Sequence, residues 1–321
     1  MIQFDRWVKF GHFRLVVAIV QSGSILRAAN SLNMSQPSAT KLLQDLESVL
    51  AAPLFRRNNR GVEPTEFGLE FYGQARKILA QLEQTSMSMK CFANGEVGYV
   101  ALGTLMSAAS YLLPATIVRL RQSRPHIHLK IVEGTNDRLM PSLASGELDL
   151  IIGRLTEIRH RNDIDQEKLL GDSLHIVTRS GHPLAHSGPV PLSALAKADW
   201  ILPPAETTLR RQLESIFHDA GVSAPKAAVE SVSFLNNRLL LLQSDMISVW
   251  PRTVVESGLD SEEFTTLKTE EALPASILGI SRRRGAVLSQ SAQAVIEELR
   301  ATASRGWPQK ASALDTALSF R

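Results

Sequence analysis

The stretch from residue 24 to residue 60 constrains the fold most strongly, because two short helical patterns meet there across a tight polar turn. Ser24 is a suitable N-cap for the first helix, whose apolar positions follow helical spacing. The turn at Asn33 breaks that spacing, and Ser35 can cap a second helix that has Pro37 in its first turn. A basic hairpin with three arginines follows. This order is typical of a helix-turn-helix with a wing.

The second helix has an apolar stripe on one face and small polar side chains on the other. The apolar positions are Ala39, Leu42, Leu43, Leu46, Val49 and Leu50. The polar face and the hairpin supply side chains that can pair with base edges or phosphates. The candidate DNA-contacting residues are Ser35, Gln36, Pro37, Ser38, Thr40, Lys41, Gln44, Arg56, Arg57 and Arg60. Periodicity alone leaves open an ordinary amphipathic helix whose polar face meets water.

A set of spacings between residues 23 and 68 resembles the N-terminal signature of the LysR-type transcriptional regulators. The matching residues are Gly23-Ser24, Ala28-Ala29, Leu32, Ser35-Gln36-Pro37, Thr40-Lys41, Leu46-Glu47, Pro53-Leu54-Phe55, Arg57, Thr65-Glu66 and Gly68. Lys41 stands where the family usually has arginine, and it lacks the two-pronged donor of that residue. The stretches MSQPSATK (34–41) and SDMISVWP (244–251) resemble members that regulate the catabolism of aromatic acids or sugars. The resemblance extends over about residues 10–303.

A long amphipathic helix is predicted from about Thr65 to Phe92. Its apolar stripe consists of Phe71, Ala75, Ile78, Leu79 and Leu82. Such a stripe requires a partner, and in the family that the chain resembles this linker helix pairs two DNA-binding domains. Packing onto the chain's own domain is the alternative. Cys91 is the only cysteine, which excludes an internal disulfide and leaves a redox switch without a resolving thiol.

Beyond residue 94, strands alternate with helices, which predicts a parallel sheet built from βαβ units. Two such α/β lobes joined by crossing strands resemble the periplasmic-binding-protein fold, which is also the effector domain of LysR-type regulators. We therefore predict an α/β protein with an N-terminal all-α winged helix-turn-helix. The predicted boundaries are 1–64 for the DNA-binding domain, 65–93 for the linker helix, 94–304 for the effector-binding domain and 305–321 for a tail. Within the effector domain, lobe I is predicted at about 95–168 and 270–304, and lobe II at about 169–269.

Hydroxyl-bearing residues follow several of the predicted strands, where helices begin. Small molecules bind beyond the carboxyl ends of such strands, and helix N-termini there favour anions. The candidate effector-binding residues are Thr104, Ser107, Thr135, Arg154, Thr207, Ser233 and Phe234. The resemblance implies an inducer site at Ser107 and Thr135. A helix N-cap without a ligand role is the alternative for each hydroxyl, and an inter-lobe salt bridge is the alternative to a ligand carboxylate for Arg154.

Charge and motif content restrict the function classes. Residues 1–93 have 11 Lys and Arg against 7 Asp and Glu, whereas the remainder has 24 against 25, so the basic excess lies where phosphates would be met. The nucleophile-elbow, phosphate-loop, zinc-protease and dinucleotide motifs do not occur in the sequence. We therefore expect no enzyme, no cofactor and no metal. A solute-binding protein or an enzyme built on the two lobes, without a DNA role, is the alternative function.

The expected protein is a cytoplasmic regulator, because neither a signal peptide nor about 20 consecutive apolar residues can be seen. The resemblance implies a dimer or homotetramer on double-stranded promoter DNA. A small effector, an organic anion or a sugar-like compound, enters the cleft between the lobes and changes their angle. That change alters DNA bending and contact with RNA polymerase. The ligand must bind the two states with different affinity for any switch to occur.

Overall fold

The computed structural model describes residues 7–58, 61–94, 98–155, 163–258, 262–271, 273 and 275–306; for residues 57–58 and 257–258 only the backbone is described. The chain divides into two compact units, one of Met1–Asn94 with Ser145–Glu147, and one of Gly95–Ala144 with Leu148–Arg321. Within the described residues, no helix combines the length and the apolar character needed to cross a bilayer.

Within residues 7–58 and 61–94, the first unit contains three short helices, a two-stranded hairpin and a long helix. In chain order these are α1 (Phe10–Ser22), α2 (Ile25–Ser31), α3 (Gln36–Leu50), β1 (Phe55–Asn58), β2 (Gly61–Pro64) and α4 (Glu66–Ala93). The strands pair in antiparallel fashion. The core joins α1, α2, α3 and the start of α4; its buried members include Val16, Ile19, Ala28, Leu46, Leu54 and Ala75. The predicted winged helix-turn-helix fold is therefore confirmed.

Side chains fix the ends of these helices where the sequence predicts caps. The Ser24 hydroxyl accepts a hydrogen bond from the Arg27 backbone N–H, and the Thr65 hydroxyl accepts one from that of Gly68 at 2.9 Å. One carboxylate oxygen of Glu47, on α3, accepts hydrogen bonds from the backbone N–H groups of Leu54 (2.7 Å) and Phe55 (3.2 Å). The turn before the hairpin is thereby anchored to α3.

In the described part of the second unit, nine strands are joined by hydrogen bonds. They are β3 (Gly98–Thr104), β4 (Ile127–Glu133), β5 (Leu150–Arg154), β6 (Ile164–Arg179), β7 (Trp200–Leu202), β8 (Ala227–Glu230), β9 (Ile247–Pro251), β10 (Phe264–Leu267) and β11 (Ala275–Arg283). The strand order is β4-β3-β5-β11-β6-β9-β7-β8, with β10 also paired to β6. The 16-residue strand β6 thus belongs to both lobes.

Helices cover the faces of both lobes. They are α5 (Met106–Ala109), α6 (Leu112–Ser123), α7 (Asn136–Ser145), α8 (Leu192–Leu195), α9 (Thr208–Asp219), α10 (Phe234–Gln243), α11 (Arg252–Gly258) and α12 (Gln290–Ser304), with one 3-10 turn at Pro183–His186. The last helix packs with α6 against β3, β5 and β11. It therefore returns to the first lobe, as predicted.

The predicted parallel pairing holds among three strands of each lobe but not at the centre of the sheet. Strands β3, β4 and β5 are parallel, as are β7, β8 and β9. Strand β6, however, pairs in antiparallel fashion with β9, β10 and β11, and β11 is antiparallel to β5 as well. The chain crosses between the lobes on the long strands β6 and β11.

Two glycines of α4 provide a matched test of packing. A Cβ at Gly68 would lie 2.0 Å from the carbonyl oxygen of Leu54, whereas a Cβ at Gly73 would meet nothing within 4 Å. We expect Gly68→Ala to lower the free energy of unfolding of the N-terminal unit by about 1–3 kcal/mol through steric overlap. Gly73→Ala should raise it by about 0.5–1 kcal/mol, because alanine favours a helix interior. Urea denaturation followed by circular dichroism measures both changes. A shift of the same sign in the two variants would contradict this packing.

Candidate functional sites: the exposed face of helix α3 and the cleft between the lobes

Helix α3 is positioned by a tight turn that follows α2. Asn33 adopts a left-handed backbone, with φ of 54°, and the Met34 N–H donates to the Ala29 carbonyl at 2.9 Å. The Ser35 hydroxyl caps α3 by accepting from the Ser38 N–H at 3.2 Å, and the two serine hydroxyls lie 2.7 Å apart. The turn therefore holds α3 at a defined angle to α2, with its first residues at the surface.

The two faces of α3 differ as the sequence predicts. Ala39, Leu43, Leu46 and Leu50 are buried. The exposed candidate DNA-contacting residues on this helix and its cap are Ser35, Gln36, Pro37, Ser38, Lys41 and Gln44. Thr40 is half-buried, between the two faces. An exposed polar face of this kind could also simply be solvated. The role of this face in DNA binding therefore stays a prediction.

The basic hairpin supplies one further exposed cation. Arg56 lies on β1 opposite Glu63, and its side chain is exposed. The backbone of Arg57 pairs with Val62, but the Arg57 side chain and the whole of Arg60 lie outside the described residues. Arg27, on α2, is a further exposed cation that the sequence analysis did not select. Its position in the first helix of the motif, which crosses the DNA backbone in such domains, would have been the signal.

The second unit contains a cleft of about 770 Å³ between its two lobes. Residues from the ends of β4, β5 and β9 and from the starts of α5, α7, α9 and α10 line it. This volume is in the range of small-molecule sites. Six of the seven candidate effector-binding residues line the cleft: Ser107, Thr135, Arg154, Thr207, Ser233 and Phe234.

Thr104 is the candidate that the structure does not place in the cleft wall. It is 2% exposed, and its hydroxyl donates to the adjacent Leu105 carbonyl at 3.3 Å. The chain turns at Leu105, so the cleft is lined from that residue onward. The expectation for Thr104 is therefore corrected to a buried strand-end residue.

Two of the lining hydroxyls serve as helix caps. The Thr207 hydroxyl accepts from the Arg210 N–H at 3.3 Å and donates to the Pro204 carbonyl at 2.8 Å. The Ser233 hydroxyl accepts from the Asn236 N–H at 3.4 Å. These bonds already explain the residue types at the two positions, which is the alternative that the sequence left open.

Arg154 is a buried cation that connects the lobes. It is 7% exposed, and its Nη1 donates to Gln212 Oε1, on α9, at 3.0 Å. Burial lowers the pKa of Arg154, while the charge of Asp172 acts in the opposite direction. Burial likewise raises the pKa of Asp172. Among the described residues, Arg154 thus makes its inter-lobe hydrogen bond to a neutral amide.

Three further lining residues were missed by the sequence analysis. Asn136 begins α7, Asn237 lies in α10, and Trp250 lies on β9. The Asn136 Nδ2 donates to the Arg154 carbonyl at 3.5 Å, and the Asn237 Nδ2 donates to the Ser231 carbonyl at 3.4 Å. Asparagines at helix starts were a usable signal. Trp250 had none, because it stands in an apolar strand that reads as core.

A winged helix-turn-helix joined to a two-lobed α/β unit with a cleft defines a class of ligand-responsive DNA-binding proteins. Family comparison matches residues 10–69 to "Bacterial regulatory helix-turn-helix protein, lysR family" and residues 93–304 to "LysR substrate binding domain". The chain therefore belongs to the LysR family of DNA-binding transcriptional regulators, which have an effector-binding domain. This agrees with the expectation that it is not an enzyme.

Individual relatives agree with the family assignment. The chain is 32% identical to the HTH-type transcriptional regulator GbpR of Azospirillum brasilense over 295 residues, which is 92% of this chain and 86% of that protein. It is 28% identical to the regulator PcaQ of Agrobacterium fabrum, over 87% of this chain and 90% of the relative. Both relatives are matched along most of their length.

Solved structures share the fold. The LysR family regulator CbnR matches with a TM-score of 0.64 and 18% identity, over 92% of this chain and 99% of that one. Full-length CbnR in complex with its target DNA matches with a TM-score of 0.63. Full-length BenM matches with a TM-score of 0.53 and 24% identity, over 94% of this chain and 99% of that one.

A single substitution on α3 tests the recognition face. We expect Gln36→Ala to weaken binding to the specific DNA site by about 1–3 kcal/mol, because a base-edge contact is lost. Its affinity for scrambled DNA should stay unchanged. Ser48→Ala, on the exposed side of the last turn of the same helix, is the matched control and should bind like the wild type. Competition binding with labelled duplexes measures both. Equal loss on specific and scrambled DNA in Gln36→Ala would remove Gln36 from base recognition.

Proposed function

We propose that this regulator reads promoter DNA with the exposed face of α3 and contacts the flanking phosphates with its hairpin. The observation that carries the proposal is the division of α3 into a buried apolar face and an exposed face of Gln36, Lys41 and Gln44. These side chains are suited to adenine edges, guanine edges and phosphates. Arg56 adds a cation on the neighbouring hairpin, and we propose the same phosphate-contacting role for Arg57 and Arg60.

Self-association through α4 follows from the exposed apolar side chains of that helix. The first part of the predicted stripe is buried at Phe71 and Ala75, but Ile78 and Leu82 are each 37% exposed. Met89 and Phe92 are exposed farther along, at 59% and 77%. These four positions have the spacing of alternating a and d sites of a coiled coil, with Thr85 between them. A second copy of α4 is the partner that this periodicity fits.

Pairing of this kind suits duplex DNA. Two recognition helices held by one dimer can enter successive major grooves, about 34 Å apart. Association of the effector domains would then extend the dimer to a tetramer. The assembly acts in the cytoplasm, where the promoter and RNA polymerase are present.

The cleft between the lobes is the proposed effector site. Its walls come from both lobes, and its volume suits a small molecule. A ligand held by both lobes stabilises the lobe angle at which it fits best, and the transcriptional response follows from the difference in affinity between two such states. Ser107, Thr135 and Arg154 are the first-lobe residues that we assign to this contact.

The direct test uses the purified full-length protein and the DNA upstream of its own gene. We expect fluorescence anisotropy to show tighter binding to this fragment than to a scrambled duplex of equal length. The advantage should persist as salt is raised, because base contacts depend less on counterion release than phosphate contacts do. Equal and salt-sensitive binding to both duplexes would contradict sequence-specific recognition of this region.

A charge placed on the exposed stripe of α4 tests self-association. We expect the double variant Ile78→Lys, Leu82→Lys to dissociate the DNA-binding dimer, because like charges would face each other in an apolar seam. Sedimentation velocity should show a smaller species, and affinity for a two-half-site duplex should fall. Gln81→Lys, which changes an exposed polar residue of the same helix, is the control. An unchanged sedimentation coefficient in the double variant would argue against this seam.

A further inference from the structure

The cleft walls contain several buried polar atoms that lack a hydrogen-bond partner within the described part of the chain. These atoms are Ser107 Oγ, Asn136 Oδ1, Arg154 Nη2, Asn237 Oδ1 and Trp250 Nε1. Their residues are between 1% and 9% exposed. An unsatisfied buried polar atom is destabilising, and each one calls for an explanation. Five of them around one cleft point to a ligand that supplies the missing partners.

Two of the five atoms can only donate. The Trp250 indole N–H has no acceptor capacity, and the Arg154 guanidinium has none either. The other terminal nitrogen of Arg154, Nη1, already donates a hydrogen bond to Gln212. A ligand that satisfies Nη2 and the indole must therefore present acceptor oxygens. Charge-assisted pairing with a guanidinium favours a carboxylate.

The two asparagines impose the opposite requirement. Each side-chain nitrogen donates to a backbone carbonyl, of Arg154 for Asn136 and of Ser231 for Asn237. Because a carbonyl can only accept, the amide nitrogen of each asparagine must be the atom that faces it. This fixes the orientation of both amides, and each Oδ1 points away from that carbonyl. These oxygens need donors. A simple anion has none, whereas a molecule with hydroxyl groups has.

Part of the remaining wall is apolar and aromatic. Phe234 and Trp250 line the cleft with their ring centroids 5.2 Å apart, Met106 packs in the same apolar cluster, and Leu105 also lines the cleft. Such a wall packs against the flat face of a carbon ring. Arg154 is the one buried charge within the described lining; the lining residues Glu133, Asp137, Arg138 and Glu206 are exposed.

We propose that the cleft binds a hydroxylated carboxylic acid of about one ring in size. Its carboxylate pairs with Arg154 and the Trp250 N–H, its hydroxyl groups donate to Asn136 and Asn237, and its carbon skeleton packs against Phe234. Ser107 can donate or accept and so serves either group. Because the five atoms are shielded from water, wall side chains shift when the ligand binds. This proposal rests on the proposed effector role of the cleft.

The first test uses four probes with the full-length protein: 4-hydroxybenzoate, glucuronate, benzoate and glucose. Isothermal titration calorimetry and thermal unfolding should show binding of at least one hydroxylated acid. Benzoate, which lacks the hydroxyl, and glucose, which lacks the charge, should bind more weakly by about tenfold or more. Preference for 4-hydroxybenzoate identifies an aromatic ligand, and preference for glucuronate identifies a sugar acid. Failure of both hydroxylated acids to bind, or binding of glucose as tight as theirs, would overturn the proposal.

The second test compares two tryptophans. The Trp200 indole N–H already donates to the Leu195 carbonyl at 2.7 Å, whereas that of Trp250 has no partner in the described chain. Trp250→Phe should lower the Tm of the free protein less than Trp200→Phe does, because no hydrogen bond is lost, and should raise the Kd of the bound acid about 2- to 12-fold. Trp200→Phe should lower the Tm and leave the Kd unchanged. The reverse pattern would exclude the indole from the site.

Arg154→Met tests the charged contact while keeping an unbranched side chain. It should raise the Kd of the acid about 10- to 150-fold and leave that of an uncharged analogue unaffected. Specific DNA binding, measured in the same preparation, separates the two levels of the proposal. A protein that binds its upstream DNA but none of the acids is a regulator with a different ligand class. A protein that binds neither its DNA specifically nor a ligand contradicts the proposed function itself.

Discussion

The effector unit depends on strand β6, because this single strand forms backbone hydrogen bonds with strands of both lobes. Its first ten residues, up to Ser173, pair with β11, and the residues from Leu174 onward pair with β9 and β10. The lobes are therefore parts of one sheet path. Gly279 permits the close approach of β11, since a Cβ there would lie 2.1 Å from the Glu167 carbonyl oxygen.

Hydroxyl side chains cap the N-termini of many of the described helices. Their presence at a helix start therefore says little about function. The N-caps of α2, α3, α4, α9, α10 and α12 are Ser24, Ser35, Thr65, Thr207, Ser233 and Ser289. A hydroxyl at a helix start is thus the ordinary solution for exposed N–H groups. In the cleft, Thr207 and Ser233 are fully explained by this task. Ser107 is different, because its buried hydroxyl finds no partner in the described residues.

Sequence reasoning succeeded where local physical signals are strong and failed where long-range pairing decides. Ser35 and Thr65 are N-cap residues that predict where α3 and α4 begin, and the spacing of apolar residues in α3 identifies its buried face. The predicted lobe boundary at about residue 168 falls inside β6, where polar residues such as Gln166 and Lys168 interrupt the apolar pattern. Its partner β11 lies about a hundred residues away, and no local signal specifies antiparallel pairing over that distance. The short helix α5 is only one turn long and has no side-chain cap.

Prediction of the cleft had a similar limit. The ends of parallel strands can be located from the sequence, so Ser107, Thr135 and Arg154 could be selected. Whether a buried side chain has a hydrogen-bond partner cannot be predicted from the sequence. Trp200 and Trp250 are both buried in apolar strands, yet only the three-dimensional arrangement gives one indole an acceptor and leaves the other without one among the residues that the structure describes. The more informative tryptophan was therefore indistinguishable from a core residue.

If the cleft binds the proposed acid, Arg154 would connect ligand binding to lobe contact through one rigid group. Its guanidinium bonds Gln212 of the opposite lobe through Nη1 and leaves Nη2 unpaired within the described chain. Because the guanidinium is planar, a carboxylate that pairs with Nη2 constrains the direction of Nη1 as well. Any lobe angle that breaks the Gln212 bond therefore changes the orientation that the ligand meets. Differential affinity for two lobe angles, which a ligand-controlled switch requires, can thus arise at a single side chain.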